Sequence, residues 1–293
     1  MLALTARPVA QFLWVGPGLS PLENLCLKSF VTVGYEVHLY SYGPLERVPE
    51  GVILKDAGEI IPADDQFFGP NTCNGQYANF ADRFRYYLLL KRGGWWFDTD
   101  FVALKVAPEP TDLYVASQWE GYEDPCNGVL WCKPGDARMA WAKERCDAIL
   151  AKGGERSYVA LGPALVKEMV EHFGLKPAPW WEFNPVQHYY MNRLIYRTNR
   201  EWATDVLRSI LHRGRELWKP GYRAAYIRPK SVAIHLSNEI WRAKGLDKWA
   251  LYHPRSIYGK LQRQYGFSAD CPPQTSVIAR VRTRLATKLR LLR

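Results

Sequence analysis

The chain lacks several things that would each have placed it quickly. No apolar run approaches the roughly 20 residues that a bilayer-spanning helix needs, which argues against a membrane span. None of the six cysteines forms a Cys-x-x-Cys pair, so neither a zinc ribbon nor a thioredoxin-like redox motif is supported. No Gly-x-Gly-x-x-Gly follows the first expected strand, and the dinucleotide fingerprint of dehydrogenases is missing. There is no internal repeat and no low-complexity stretch. Met1 to Val15 offers no convincing signal cleavage site, and Trp14-Val15-Gly16 reads as part of the fold. The cysteines at 26, 73, 126, 132, 146 and 271 are accordingly expected as reduced thiols of a cytosolic protein. A disulfide between Cys126 and Cys132, which flank an expected strand, stays open.

What is present is globular in character. Of the 293 residues 47% are hydrophobic and 23% charged, enough to bury a substantial core in one or two domains. Twelve Trp and 17 Tyr are many for this length; such rings pack cores, and they also stack on nucleobases and sugar faces. The net charge of +10 attracts nucleoside diphosphates, nucleic acid or anionic lipid, without choosing among them. Part of that charge is concentrated at the end. Ser276 to Arg293 holds six Arg and Lys and no acidic residue around the stripe Val277, Val281, Leu285, Leu289 and Leu292. A basic amphipathic helix of this kind reads as a membrane-surface or anion-binding element, or as a solvated helix packed on the domain.

In chain order, Val9 to Val15 reads as a strand. Ser20 to Val33 reads as a helix, with Ser20 as N-cap, Pro21 at the first position and Glu23 completing a capping box. Tyr35 to Tyr42 alternates as a second strand, making a βαβ unit. Val52 to Lys55 is a short strand candidate. Leu113 to Ser117 and Val129 to Trp131 are further strands, Asp136 to Leu150 a helix, and Val232 to Leu236 a last strand. Val186 to Gly214 is helical in pattern and reads as an insertion.

The stretch from Ala78 to Leu104 organises the rest. Phe80, Phe84, Tyr87 and Leu88 recur at helical spacing with no Pro or Gly before Gly93, and Lys91-Arg92 sit where a helix C-terminus favours positive charge. Trp95-Trp96-Phe97 then suits a strand buried on both faces. It runs into Asp98-Thr99-Asp100. If the strand stays extended, both carboxylates point the same way. Buried acids are costly unless paired, and two hard oxygen ligands at the carboxyl end of a strand can hold a divalent cation, where open α/β folds bind ligands. Asp82 and Arg85, three apart, share a helix face; the plain reading is a surface ion pair worth under about 1 kcal/mol.

The composite Ala81-Asp82-Arg83-Phe84-Arg85, Gly93-Gly94-Trp95-Trp96-Phe97-Asp98-Thr99-Asp100 resembles the DXD-motif sugar transferases of glycosyltransferase family 32, and is similar to the catalytic domain of the clostridial glucosylating toxins. The resemblance covers residues 9 to 130 well and 160 to 241 weakly. It implies an α/β fold of the GT-A type, Rossmann-like, with a mostly parallel sheet and helices on both sides. The catalytic domain would run from 1 to 270, with the insertion at 186 to 214, and the basic tail from 271 to 293. The implied activity is metal-dependent transfer of a hexose from a UDP-sugar, with retention, to a glycan, lipid-linked or protein acceptor.

The resemblance also implies roles. Trp14 stacks on the donor base. Asp82 holds sugar hydroxyls and Arg85 the sugar or phosphate. Asp100 is the direct ligand of Mn²⁺ or Mg²⁺, with Asp98 on the ribose or on the metal through water. His235 is a third ligand, its imidazole favouring Mn²⁺ somewhat. Asn127-Gly128 matches an Asn-rich turn, and Asn127, Glu120 and Asp124 lie toward the acceptor. Leu161-Gly162-Pro163-Ala164 matches a Gly-Pro helix start. Trp180 to Pro185 matches a Phe-Tyr-Pro segment, with Asn184 in place of Tyr. Trp241, in a closing His-to-Trp motif with His235, closes over the diphosphate. Eukaryotic members usually carry a membrane anchor ahead of the domain; without one, a bacterial or viral cytosolic protein is expected, in peripheral contact with the anionic inner face of the membrane through its tail. Two other classes stay open: a non-catalytic nucleic-acid- or sugar-binding protein, although no nucleic-acid motif is seen, and an Asp-x-Asp phosphatase, whose motif normally follows the first strand.

Overall fold

The computed structural model describes residues 7–67, 77–119, 122–153, 157, 159–186, 194–195, 203, 207 and 227–267. The expected basic tail, most of the expected helical insertion and Glu120 lie outside these residues. Among the described residues no helix is long and apolar enough to cross a membrane.

Six strands form the main sheet: β1 (Val9–Leu13), β2 (Glu36–Ser41), β3 (Val52–Asp56), β4 (Gly94–Phe97), β6 (Tyr114–Trp119) and β7 (Tyr122–Cys132), in the order β3-β2-β1-β4-β7-β6. The pairings β3-β2, β2-β1 and β1-β4 are parallel, and β7 runs against both its neighbours. Only β7 is therefore reversed, and the sheet is mostly parallel, as expected. β5 (Phe101–Ala103) and β8 (Ala233–His235) form a separate antiparallel pair with Phe101 opposite His235.

Alternation along the strands feeds two cores, one on each face. Phe12, Val37, Leu39, Trp95, Phe97 and Val129 meet Leu27 and Phe30 of helix α1 (Pro21–Val33) on one side. Leu13, Tyr40, Trp96, Leu130 and Val115 meet α2 (Ala78–Arg92), α3 (Ala137–Ala151) and α4 (Pro163–His172) on the other. The result is an α/β fold with a mixed sheet flanked by helices. A third cluster joins α1 to β8, to α5 (Asn238–Ala243) and to α6 (Ile257–Gln264), centred on Trp241, Tyr252 and Tyr258.

Local chemistry sets the ends of the two helices that matter most. At α1 the Ser20 hydroxyl accepts from the Leu22 N–H and the Glu23 carboxylate accepts from the Ser20 N–H, a capping box contributing about 1 kcal/mol. Glu23 is wholly buried, which is tolerable because Lys248 pairs with it. α2 ends at Gly93, whose N–H donates to the Leu89 carbonyl. A Cβ at Gly93 would meet Pro134 at 2.5 Å, and its φ is +62°, so this stop admits glycine alone without strain. The Gln11 amide, itself buried in β1, donates to the Gly93 carbonyl at 2.6 Å and locks the turn to the sheet. β4 is thereby delivered beside β1 in parallel register, Ala10 opposite Trp95.

The cysteine expectation resolves simply. Cys26, Cys126 and Cys132 are buried free thiols and Cys146 is buried too; Cys126 and Cys132 both lie within β7, and no disulfide joins them. Cys73 and Cys271 are outside the described residues.

Candidate active site

Strand order reverses direction between β1 and β4: the chain builds outward from β1 to β2 and β3, then returns to the other side of β1. Open α/β sheets bind ligands outside the carboxyl ends of strands at such a switch point. Here a hollow of about 1240 Å³ opens there, lined by Trp14 beyond β1 and by Asp98 to Asp100 beyond β4. Asp82 and Arg85 of α2, Asn127 of β7, His235 of β8 and Trp241 of α5 line the same hollow. These eight residues, each singled out in the sequence, thus border one cavity.

Asp98-Thr99-Asp100 is a turn and does not continue the strand. β4 stops at Phe97, and the Phe101 N–H donates back to the Asp98 carbonyl at 3.2 Å. The expectation that both carboxylates point the same way from an extended segment is therefore corrected: the turn sends them to different partners. Asp98 accepts from Arg85 at 2.9 Å and from the Trp96 indole N–H at 2.9 Å. Asp100 accepts from the Asn238 N–H at 2.7 Å and lies 3.3 Å from His235 Nε2.

Around Asp98 the charges are packed tightly. Arg85 is 2% exposed and reaches Asp82 at 3.0 Å, Asp98 at 2.9 Å and the Asn127 carbonyl. It also lies over the Trp96 ring at 5.1 Å. The Asp82–Arg85 pair is thus no surface ion pair; breaking a buried pair typically costs about 3–5 kcal/mol. Asn127 donates its amide to Asp82 at 2.9 Å. One guanidinium serves two carboxylates. Burial first, and the Asp98 charge after it, raise Asp82 to about 6 against the pull of Arg85. Asp98 is raised by the same removal from water and by Asp100, with Arg85 opposing; its side chain keeps 32% exposure to the hollow, and solvent there tempers the rise.

Two glycines make this closeness possible. A Cβ on Gly162, ahead of α4, would meet Asn127 Nδ2 at 2.4 Å and Asp82 Oδ2 at 2.6 Å. A Cβ on Gly128 would meet Asp98 Oδ2 at 2.9 Å.

Around Asp100 the polar groups are under-supplied. Asp100 Oδ1 and Asn238 Oδ1 are buried with no hydrogen-bond donor among the described residues. Such atoms are rare in folded proteins and call for a ligand, ion or water. His235 stacks on Phe101 with centroids 4.3 Å apart and rings nearly parallel. Burial would push Asp100 up, but His235 and the Asn238 N–H bring it below the usual carboxylate range. Burial likewise would lower His235, and the Asp100 carboxylate raises it. Among the described residues no group of three His, Cys, Asp or Glu forms a metal cluster. The donors present at this end are one carboxylate, one imidazole and one amide oxygen. That oxygen-rich, incomplete set fits a hard divalent cation whose remaining positions come from substrate or water.

Trp14 follows β1, its backbone N–H donating to the Tyr40 carbonyl and its indole Nε1 buried without a partner among the described residues. Trp241 is wholly buried, donates its indole N–H to the Leu236 carbonyl at 2.9 Å and packs edge-on against Tyr252 and Tyr258. It meets the hollow as a wall. Asp124 pairs with Lys167 at 2.9 Å on the same rim. Sequence reasoning missed Gly162 as a contact of Asp82, Asn238 beside Asp100, and Lys248, which joins α1 to this rim.

No protein-family model matches the chain, and no curated protein matches it in sequence. Three solved structures with likeness to it are the PaToxG glycosyltransferase, the apo form of the glycosyltransferase GlyE of Streptococcus pneumoniae TIGR4, and the UDP-bound glycosyltransferase domain of the YGT toxin. PaToxG is 14% identical over 57% of this chain and 70% of its own, with a TM-score of 0.43. GlyE is 8% identical over 92% and 66%, with 0.40, so the chain spans just under two thirds of its length. The YGT domain is 10% identical over 80% and 81%, with 0.38.

Proposed function

We propose that the protein is a glycosyltransferase of the GT-A type that transfers a hexose from a UDP-sugar, in a metal-dependent and anomer-retaining reaction, to a glycan, lipid-linked or protein acceptor. The observation that carries this reading is the buried, donor-less oxygen of Asp100 facing His235 in a hollow at the switch point, beside a carboxylate pair held by Arg85. The retaining course and the UDP donor rest on the resemblance of the Asp82-to-Asp100 composite to family 32.

Asp100 and His235 would hold Mn²⁺ or Mg²⁺, with the Asn238 amide oxygen at the same end. The cation, when bound, supplies the positive charge that a departing diphosphate needs. Asp98 faces the ribose. Asp82, held by Asn127 and Arg85, accepts from sugar hydroxyls, and Arg85 is the fixed cation of the donor pocket. Trp14 offers its ring to the base, and Trp241 forms the wall beside the diphosphate. The hollow exceeds the roughly 300–1,000 Å³ of a single small-ligand pocket, which leaves room for an acceptor beside the donor near the Asp124–Lys167 rim.

The test is a hydrolysis screen across nucleotide sugars with Mn²⁺ present, with Asp100→Ala as the control. One UDP-sugar should release UDP, and the variant should lose about 100- to 1,000-fold in rate while keeping its unfolding midpoint. No turnover with any donor, or wild-type turnover in Asp100→Ala, would overturn the reading.

A further inference from the structure

Asn184 occupies the position where the sequence resemblance has Tyr, and its side chain is 3% exposed. It leaves the short 3₁₀ turn Trp180–Glu182 with its own N–H donating to the Trp180 carbonyl at 2.7 Å. Its amide Nδ2 donates to the Ser117 carbonyl at 3.2 Å. A backbone carbonyl only accepts, so the NH₂ group must face Ser117. The Asn184 amide oxygen is left facing His235 Nδ1 at 3.1 Å. An amide oxygen also only accepts, so Nδ1 must carry a hydrogen. In the neutral ring Nε2 is then a bare lone pair, and it points at Asp100 Oδ1, a second acceptor, at 3.3 Å. In that form two acceptors face one another across 3.3 Å, a gap that a proton on Nε2 or a shared cation bridges.

We propose that Asn184 is a positioning residue that holds His235 in the Nδ1–H tautomer, so that Nε2 is presented with Asp100 to a divalent cation. The proposal rests on the transferase reading for the identity of the cation, whereas the tautomer assignment rests on the Asn184 contact. The Phe101 stack sets the plane of the ring, and a half-turn about Cβ–Cγ would put C–H groups where Nδ1 and Nε2 meet Asn184 and Asp100. A ligating imidazole usually donates its other N–H to a fixed acceptor, and loss of that acceptor weakens metal affinity about 10- to 100-fold. A Tyr hydroxyl can donate as well as accept; an amide whose NH₂ is committed elsewhere imposes one tautomer.

The experiment uses the full chain and two readouts. Imidazole ¹⁵N shifts of the metal-free protein in alkaline buffer, where the ring is neutral, report the tautomer. Electron paramagnetic resonance of free Mn²⁺, with UDP present, reports affinity. Wild type should show Nδ1–H. Asn184→Leu should lose that preference and bind Mn²⁺ about 10- to 100-fold more weakly, and Asn184→Asp, which keeps an acceptor, should restore both. An Nε2–H ring in the wild type overturns the proposal without any variant, as does an Asn184→Leu protein with unchanged shifts and affinity. If the wild type shows Nδ1–H but binds no Mn²⁺ with UDP, the transferase reading fails while the tautomer assignment survives.

Discussion

The two halves of the hollow are built on opposite principles. On the α2 side, Asp82, Asp98, Arg85, Asn127 and the Trp96 indole pair with one another at 2.9–3.0 Å around a guanidinium that is 2% exposed, and of its nitrogens Nε alone has no acceptor among the described residues. On the β8 side, Asp100, His235 and Asn238 leave two buried oxygens without a donor among the described residues. A network whose carboxylates are all paired is rigid and recognises by shape and hydrogen bonds. An unsaturated one is costly alone and gains most from a bound cation. Two acids two positions apart therefore have different work, and the turn at Asp98-Thr99-Asp100 is what separates them.

The sharpest way to break the paired half is steric. Gly162→Ala puts a methyl 2.6 Å from Asp82 Oδ2 and 2.4 Å from Asn127 Nδ2, and something must shift. Donor turnover should fall about 10- to 100-fold, since displacement of a positioning group by about 1 Å costs that much. Gly43→Ala, where a Cβ meets nothing within 4 Å, should leave it unchanged. Steady-state kinetics on both variants measures the contrast; equal effects would show that Asp82 is not held for the donor.

A smaller effect separates the halves by pH. Burial lifts Asp82 to about 6, above the unfolded carboxylate value of about 3.9. The native state then binds this proton more tightly than the unfolded state does. The group contributes most to stability at low pH, and that contribution is lost as pH rises from about 4 through about 6. Asp82→Asn removes the dependence. Its stability relative to wild type should improve by up to about 3 kcal/mol between pH 4 and pH 7, read by urea unfolding. A constant difference across that range would contradict a buried, proton-hungry Asp82.

Much of this was legible along the chain because it is local. α2 spans Ala78 to Arg92 as its apolar spacing and Gly93 foretell, and the Ser20–Glu23 capping box forms where its letters stand. The shared face of Asp82 and Arg85 follows from helical spacing, but its burial does not. That depends on β7 bringing Asn127, and on Gly162 letting α4 approach, both contacts between distant residues. The Asp-x-Asp turn was misread as extended because the Trp95-Trp96-Phe97 run gives no sign of where β4 stops. Asn184 carried a faint signal, as the one polar departure in a segment otherwise like the family's. Its partner Ser117 could not be read from spacing at all.

The central claim is that the Asp100 side of the hollow is completed by a divalent cation that also holds the donor's diphosphate. Calorimetric titration of UDP into the wild-type protein, with and without Mn²⁺, tests it most directly. The account predicts binding that is strong with Mn²⁺ and at least about tenfold weaker when the metal is chelated. UDP affinity that is the same in both conditions would contradict it.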